Sequence, residues 1–285
     1  MDLSIVIVNY NTKDLTAQTI DSVLATSKAT DYEIIVVDNS TSAEQCYHSQ
    51  DKRVKVLKKV ENRGFGHACN LGAKEAVGEI LLFLNSDTIA GEGAIDKSVS
   101  FLQSAENIGA LGIRTYLRDG TFDAGCRRGF PTPAASLYYF LGFDKRHPES
   151  RKYGAYHQTF LSENETAEVD CVSGAYLMMP RKVFEELGGF DEEFFMYGED
   201  VDLCYRIKEK NYRVIYYAQA SILHLKGESG LKAKSKEIVY HFYHAMKLFY
   251  RKHYKKKYNV FVTALVYMGI EGKYRLTLLQ RKRNK

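Results

Sequence analysis

Three uninterrupted apolar runs, each stopping at a polar triplet, constrain this chain more than any other feature. LSIVIVN (Leu3–Asn9), YEIIVVDNS (residues 32–40) and EILLFLN (residues 79–85) are rich in leucine and β-branched residues and show no polar alternation. That is the pattern of strands buried on both faces, which need helices on either side of the sheet. Between the runs, apolar residues fall at helical spacing: Leu15, Ile20, Val23 and Leu24 follow the first, with Thr12 placed as an N-cap. Further helices are predicted over about residues 66–76 and 93–104, and further strands at RVKVLKK and IGALGIRTYL. This alternation predicts an α/β fold, a mostly parallel central sheet flanked by helices. Ligands of open sheets sit outside the carboxyl ends of the strands. Here those ends read Asn9-Tyr10-Asn11, Asp38-Asn39-Ser40 and Asn85-Ser86-Asp87, and they are expected to converge on one cleft.

The second half is less regular. Residues 119–168 hold Pro131-Thr132-Pro133, SLYYFLGF and HPESRKYGAYHQ without a sustained period, and read as an irregular acceptor-side insertion. Order returns with VDCVSGAYLMMP, a strand-like run, and a short helix stopped at Gly188-Gly189. EDVDLCYRIKEK is an amphipathic helix with Val201, Leu203, Cys204 and Ile207 on its apolar side, which leaves Asp202 as a helix-face residue. RVIYY and SILHL are two short strands.

Composition and charge narrow the partners. A chain of 285 residues, 45% hydrophobic and 26% charged, suits one large domain with an appendage. Met1-Asp2 leads straight into a strand, without the features of a signal peptide. Five scattered cysteines without a C-x-x-C pair argue against a disulfide framework or a zinc site, so a cytoplasmic setting is expected. Residues 226–285 hold 16 Lys/Arg against Glu228, Glu237 and Glu271, a net +13, which leaves −8 on residues 1–225. The tail comprises a long helical stretch, SKEIVYHFYHAMKLFYRKHYKKK, and YNVFVTALVYMGI, whose 13 residues fall short of a bilayer span. Bases interleaved with apolar residues at helical spacing suit a membrane surface better than a nucleic-acid groove. Residues 235–285 are therefore expected to dock on an anionic membrane, the inner face of the plasma membrane, with Phe261, Leu265 and Tyr267 inserted; the alternative is that the tail packs on the body as ordinary helices, its bases merely solvated. No nucleic acid is expected as partner.

The strand ends suggest chemistry. Asp87 can hold a hard divalent cation, Mg²⁺ or Mn²⁺, together with substrate phosphates, or it can serve as an ordinary turn or cap residue. Asp38 is placed to accept from the imide N–H of a nucleobase or from a ribose hydroxyl, and Tyr10 to stack on the base. ENRGFGHACNLG sets Gly64, Gly66 and Gly72 around a helix start, where backbone amides favour phosphate; it has neither the Rossmann spacing nor a G-K-[ST]. GGFDEEFFMYGEDVDLCYRI gathers six carboxylates in twelve positions, from Asp191 to Asp202. Such acids favour a helix dipole, and Asp200, in the first turn, can also act as a general base toward an attacking hydroxyl.

Taken jointly, SIVIVNYN, VVDNS, NRGFGHACNLG, LFLNSDT, VSGAYLMMPR, GGFDEEFFMYGEDVDLCYRIKEKNYRV and HLKGESG resemble glycosyltransferase family 2 in order and spacing, over residues 3–230. The rhamnosyltransferase-like subgroup is the nearest in pattern. The resemblance implies a GT-A fold over residues 1–230 with residues 231–285 as a basic amphipathic helical tail. It also implies a dTDP-, UDP- or GDP-linked sugar donor, a glycan or lipid-linked acceptor, a divalent metal and inversion at the anomeric carbon. It makes Asn85-Ser86-Asp87 the counterpart of the D-x-D motif, with Asn85 in place of its first aspartate and Asp87 on metal and diphosphate. Tyr10, Asp38, Asn62, Gly66, Asn70 and Ser86 fall at donor-binding positions, and Gly174 and Glu199 on the acceptor side. Asp200 falls at the catalytic base and His224 completes the metal site. Two other readings remain at this point: a sugar nucleotidyltransferase, whose triphosphate loop the NYNTKDL stretch does not provide, and an inactive carbohydrate-binding homologue.

Overall fold

The computed structural model describes residues 1–58, 60–225 and 236–283, and for residues 282 and 283 the backbone alone. Its strands, in chain order, are β1 (Leu3–Asn9), β2 (Tyr32–Asp38), β3 (Val54–Leu57), β4 (Ile80–Asn85), β5 (Thr88–Ala90), β6 (Ile108–Leu117), β7 (Arg127–Arg128), β8 (Ala167–Glu168), β9 (Cys171–Val172), β10 (Tyr176–Pro180) and β11 (Arg213–His224). Its helices are α1 (Lys13–Thr26), α2 (Phe65–Glu75), α3 (Ala94–Ser104), α4 (Pro133–Phe140), α5 (Phe143–Arg146), α6 (Arg181–Glu186), α7 (Glu199–Glu209), α8 (Lys236–His253) and α9 (Val260–Arg283).

The main sheet runs β3-β2-β1-β4-β10-β6-β11-β5, with β8 beside β11. Strands β3, β2, β1 and β4 are parallel. Strand β10 enters antiparallel between β4 and β6, so the sheet is mixed from its centre outward. Period-two alternation explains the unbroken apolar runs. Ile5, Ile7, Ile34, Val36, Leu82 and Leu84 pack on one face with Ile20 and Val23 of α1 and Val99 of α3. Val6, Ile35, Val37, Leu81 and Phe83 pack on the other with α2, α6, α7 and α8. Each fully buried aliphatic side chain of this kind contributes about 1.5–3 kcal/mol.

Several expectations are corrected. VDCVSGAYLMMP breaks at residues 173–175 into β9 and β10, and RVIYY and SILHL join as β11 through a register shift between Tyr217 and Ser221. Strand β5 was not predicted, because three residues are too few to show a period. The insertion contains helix α4, whose start is ordinary chemistry: the Thr132 hydroxyl accepts the Ala135 N–H at 3.1 Å and Pro133 opens the helix. Thr12 does not cap α1; its hydroxyl bonds Asn9 Oδ1 at 3.2 Å and meets Ser86 Oγ at 3.1 Å.

The tail divides in two. Helix α8 buries Ala245, Leu248, Phe249 and Tyr250 in the same core as Val201, Leu203 and Tyr205 of α7. Helix α9 lies on α8, where Tyr267 meets Tyr250 with ring centres 5.6 Å apart. Tyr267 is thus a packing residue, which corrects its expected insertion into lipid. No helix among the described residues is long and apolar enough to cross a membrane. Of HLKGESG only His224 and Leu225 are described; residues 226–230 lie outside the described residues.

Candidate active site

Parallel pairing of β1 with β2 and β4 sets the polar strand ends side by side, with Asn9 opposite Asp38 and Val8 opposite Asn85. Asn9 is the hub of this edge. Its amide donates to Asp38 Oδ2 (3.0 Å), Ser40 Oγ (3.0 Å) and the Gln45 carbonyl (2.9 Å), and its Oδ1 accepts from Thr16 (2.9 Å). Asp38 is buried: Oδ2 accepts the Asn9 amide and the Tyr47 N–H, while Oδ1 accepts the Ser40 N–H at 3.0 Å. Asp38 therefore shapes the 38–47 loop, and Oδ1 retains acceptor capacity. Tyr10, the residue just past β1, is 43% exposed. Asn62 closes this side, accepting from Asn39 (3.4 Å) and from the Gly64 N–H (3.2 Å).

Two residues expected on the donor side make contacts within the protein itself. Gly66 packs against Phe190, where an added Cβ would approach the Phe190 Cβ to 3.1 Å. The Asn70 amide donates to the Phe190 carbonyl (2.9 Å) and to Glu192 (3.0 Å), and its Oδ1 accepts the Phe190 N–H (2.9 Å). Positions 66 and 70 are one turn apart on α2, so both face the 188–192 segment, and they brace it. The Gly64 backbone, at φ +107°, is drawn close to Phe195, and the first amide of α2 is satisfied by the Phe195 carbonyl at 2.9 Å. The G-x-G thus permits contact between two parts of the protein's own backbone, where phosphate contact was expected.

The second cluster joins residues 137 positions apart. Antiparallel pairing of β5 with β11 puts Thr88 opposite His224, so the turn carrying Asp87 meets the end of β11. His224 Nε2 lies 3.1 Å from Asp87 Oδ1, both side chains are buried, and His224 Nδ1 has no hydrogen-bond partner. Ser86 contributes its hydroxyl to Thr12, and the Asn85 N–H donates to the Ala175 carbonyl at 3.1 Å.

That last bond leads to the third cluster. One residue before Ala175, the Gly174 N–H donates to Asp200 Oδ2 at 3.1 Å, so the residue 173–175 break ties the first turn of α7 to the end of β4. The same Oδ2 accepts Nη2 of Arg128, which arrives from the insertion through the β7–β9 pair. Arg128 was not anticipated; its only sequence signal was the Arg127-Arg128 doublet, which reads equally well as a solvated pair. Glu199 is buried with Oε2 unpartnered, and burial, then the charge of Asp200, push its carboxyl up to about 8. Glu199 therefore keeps its proton near neutrality.

Asp202, expected as a helix-face residue of little consequence, is instead a buried anchor. It is 0% exposed, and accepts from Arg206 (2.8 Å), Lys252 (2.6 Å) and His253 (2.8 Å). Burial alone pushes its carboxyl up, but the His253 hydrogen bond and the Arg206 and Lys252 charges outweigh it and leave it at about 2. A separate surface cavity of about 630 Å³, lined by Met1, Asp31, Tyr32 and Arg53, sits at the amino ends of β1 and β2 and touches none of these clusters.

The α/β sheet thus sets polar strand ends, a carboxylate–imidazole pair and a helix-borne carboxylate near one another, as the resemblance to nucleotide-sugar transferases leads one to expect. The solved structures agree. A mannosyltransferase from Pyrobaculum calidifontis in complex with GDP-Man and Mn²⁺ superposes with a TM-score of 0.58 at 18% identity, covering 88% of this chain and 64% of that one. GalNAc-T7 with UDP, GalNAc and Mn²⁺ gives 0.59 at 18%, covering 87% and 48%. At such identity these likenesses concern the fold, which is GT-A. The glycosyl transferase family 2 model matches residues 4–188, and a galactosyltransferase domain model matches residues 162–245. This chain belongs to glycosyltransferase family 2. It is 30% identical over 233 residues to the O-antigen biosynthesis protein RfbC of Myxococcus xanthus, covering 80% of this chain and 17% of that protein. It is 30% identical over 210 residues to the N-acetylglucosaminyl-diphospho-decaprenol L-rhamnosyltransferase of Mycobacterium tuberculosis, covering 69% and 67%. With the rhamnosyltransferase WbbL of Escherichia coli the figures are 25% over 253 residues, 83% and 88%.

Proposed function

We propose that this glycosyltransferase moves a sugar, with rhamnose the favoured candidate, from a nucleoside diphosphate to a hydroxyl of a glycan or lipid-linked acceptor, with inversion. The observation that carries the reading is the tie through residues 173–175, which holds Asp200 beside the strand end that leads to Asp87 and His224. Relatives named as rhamnosyltransferases support the sugar, and fold neighbours crystallised with UDP or GDP-Man support the class of donor.

Tyr10 takes the base by stacking, and Asp38 Oδ1 accepts its imide N–H. Asn62, Asn85 and Ser86 line the way to the diphosphate. The residues also fit a divalent cation: one carboxylate oxygen and one imidazole nitrogen converge in a buried setting, donors that suit Mn²⁺ or Mg²⁺. Asp87 and His224 would hold it. When bound, such a cation supplies Lewis-acid stabilisation of the departing diphosphate. Asp200 accepts the proton of the acceptor hydroxyl as that oxygen bonds to C1 from the face opposite the nucleotide. The bond from C1 to the diphosphate oxygen breaks in the same step, through an oxocarbenium-like transition state. Gly174 and Arg128 keep Asp200 aimed, and the neutral Glu199 beside it adds no second charge at pH 7. In this reading residues 1–230, completed by α8, form the catalytic unit, residues 119–168 face the acceptor, and the basic tail brings the enzyme to an anionic membrane at the cytoplasmic face.

A screen of dTDP-, UDP- and GDP-sugars for protection against thermal unfolding, with Mn²⁺ and with chelator, tests the reading. A donor at about 100 times its Kd raises stability by about 2.7 kcal/mol. That protection is expected to need the cation and to vanish in Asp87→Ala. Protection that persists undiminished in chelator would remove the metal, and no protection by any sugar nucleotide would remove the donor site.

A further inference from the structure

Helix α9 is apolar on two opposite sides, and α8 covers only one of them. Toward α8 it turns Tyr267, Tyr274, which meets Tyr243 at 5.6 Å, and Glu271, which pairs with Lys247 at 2.7 Å. Away from α8 it presents Phe261, Leu265, Met268, Leu276 and Leu279, 77%, 64%, 61%, 49% and 58% exposed. Their spacings of four, three, eight and three residues place them within an arc of about 80° at 3.6 residues per turn. The stripe therefore runs the length of the helix.

The surface continues onto the insertion. Lys273, at the border of the stripe, lies over the Phe140 ring at 4.9 Å, and Leu137 of α4 and Leu141, just past its end, are 54% and 53% exposed. Charge identifies what covers it. Lys255, Lys256 and Lys257 precede α9, Lys273 and Arg275 flank the stripe, and the sequence closes with Arg281, Lys282, Arg283 and Lys285. The sole acid of α9, Glu271, is engaged by Lys247 and Arg275. A second copy of this chain laid on the stripe would set lysines against lysines when parallel, and Lys255–Lys257 against the closing bases when antiparallel. Anionic headgroups complement both ends.

We infer that the outer face of α9, continued by α4, is an interfacial surface that lies in the headgroup layer of an anionic bilayer, while α8 is the rigid mount that joins it to the catalytic helix α7. The inference rests on the membrane partner proposed above and narrows it to one helix face. The insertion that supplies Arg128 to Asp200 would then border the lipid, where a lipid-linked acceptor is presented. Basic side chains near such a surface act electrostatically and are screened by salt, whereas inserted apolar residues are not.

The chain has no tryptophan, so Leu265→Trp in the full-length protein gives a single indole reporter. Its emission is expected to shift to the blue with phosphatidylglycerol-containing vesicles and to stay unchanged with pure phosphatidylcholine. Vesicle sedimentation of Leu265→Glu/Met268→Glu should fall roughly tenfold or more below wild type, with an unaltered unfolding midpoint, since both sites are exposed. Should that pair fail to fold, Leu265→Ser/Met268→Ser carries the same expectation with a smaller loss. An unshifted indole, or variants that sediment like wild type while the wild type binds, would overturn the stripe and leave the membrane partner standing. Wild-type protein that ignores phosphatidylglycerol vesicles at low salt would overturn both, without touching the assignment of Asp200. Stripe-dependent dimerisation in light scattering would assign the face to a second copy and also overturn the inference.

Discussion

Asp200 and Asp202 stand two residues apart in the first turn of α7 and hold different parts of the molecule. Asp200 faces the cleft, where Arg128 and the Gly174 N–H fix one oxygen. Asp202 faces the C-terminal segment and is closed in by Arg206, Lys252 and His253. In the proposed mechanism the same side chain on the same helix turn thus serves chemistry on one side, and in the structure it serves anchoring on the other. What separates them is how far their partners neutralise and seal them, and this has consequences that differ in kind.

The largest stability effect belongs to Asp202. Removing a buried carboxylate from two cationic partners and a hydrogen-bonded histidine leaves uncompensated charge, so Asp202→Ala should cost about 3–5 kcal/mol in urea unfolding. Its pH signature has a definite sign. The folded carboxyl lies near 2, below its ordinary value of 3.8, so its contribution is fully present above about pH 4 and is lost as pH falls toward 2. In Asp202→Ala that acid-side loss should shrink; an unchanged acid limb would break the contrast between the two aspartates.

Glu199 sharpens the contrast with a smaller effect of opposite sign. Its folded carboxyl is raised to about 8 from 4.5, so its contribution is whole below pH 4.5 and declines as pH rises through 8. Glu199→Gln should flatten that decline and raise stability at pH 8 by about 1 kcal/mol. An unaltered slope between pH 5 and 8 would mean that Glu199 ionises normally and that Asp200 has a charged neighbour.

The smallest effect lies at the rim. Arg251 and Glu193 pair with side chains 55% and 60% exposed, so Arg251→Ala should change stability by less than about 1 kcal/mol. A large loss there would show that the anchor is spread over the whole α8 surface and is not centred on Asp202.

The sequence made some of this legible and hid the rest for identifiable reasons. The strand ends could be read because a doubly buried strand has no polar residues until it leaves the sheet, so Asn9, Asp38 and Asn85 marked the cleft by themselves. The join of Asp87 to His224 followed from family resemblance alone, since strand pairing between residues so distant leaves no local period. Asp202 was misread because the partners that bury it, Lys252 and His253, lie fifty residues on, in a segment whose charge suggested solvent or lipid. Arg128 was lost for a related reason: an insertion without a period gives no sign of which arginine turns inward. Gly66 and Asn70 were assigned to the donor from their motif, and the structure employs them in bracing the 188–192 segment.

The contrast at α7 is tested most directly by turnover and unfolding of Asp200→Asn and Asp202→Asn, measured side by side with saturating nucleotide sugar. For Asp200→Asn, which keeps an oxygen for Arg128 and loses basicity, the expected result is turnover down by about 100-fold or more with donor affinity near wild type. Its unfolding midpoint should move far less than that of Asp202→Asn. Wild-type turnover in Asp200→Asn, with turnover lost in a fully folded Asp202→Asn, would contradict the assignment and move the base to the other side of the helix.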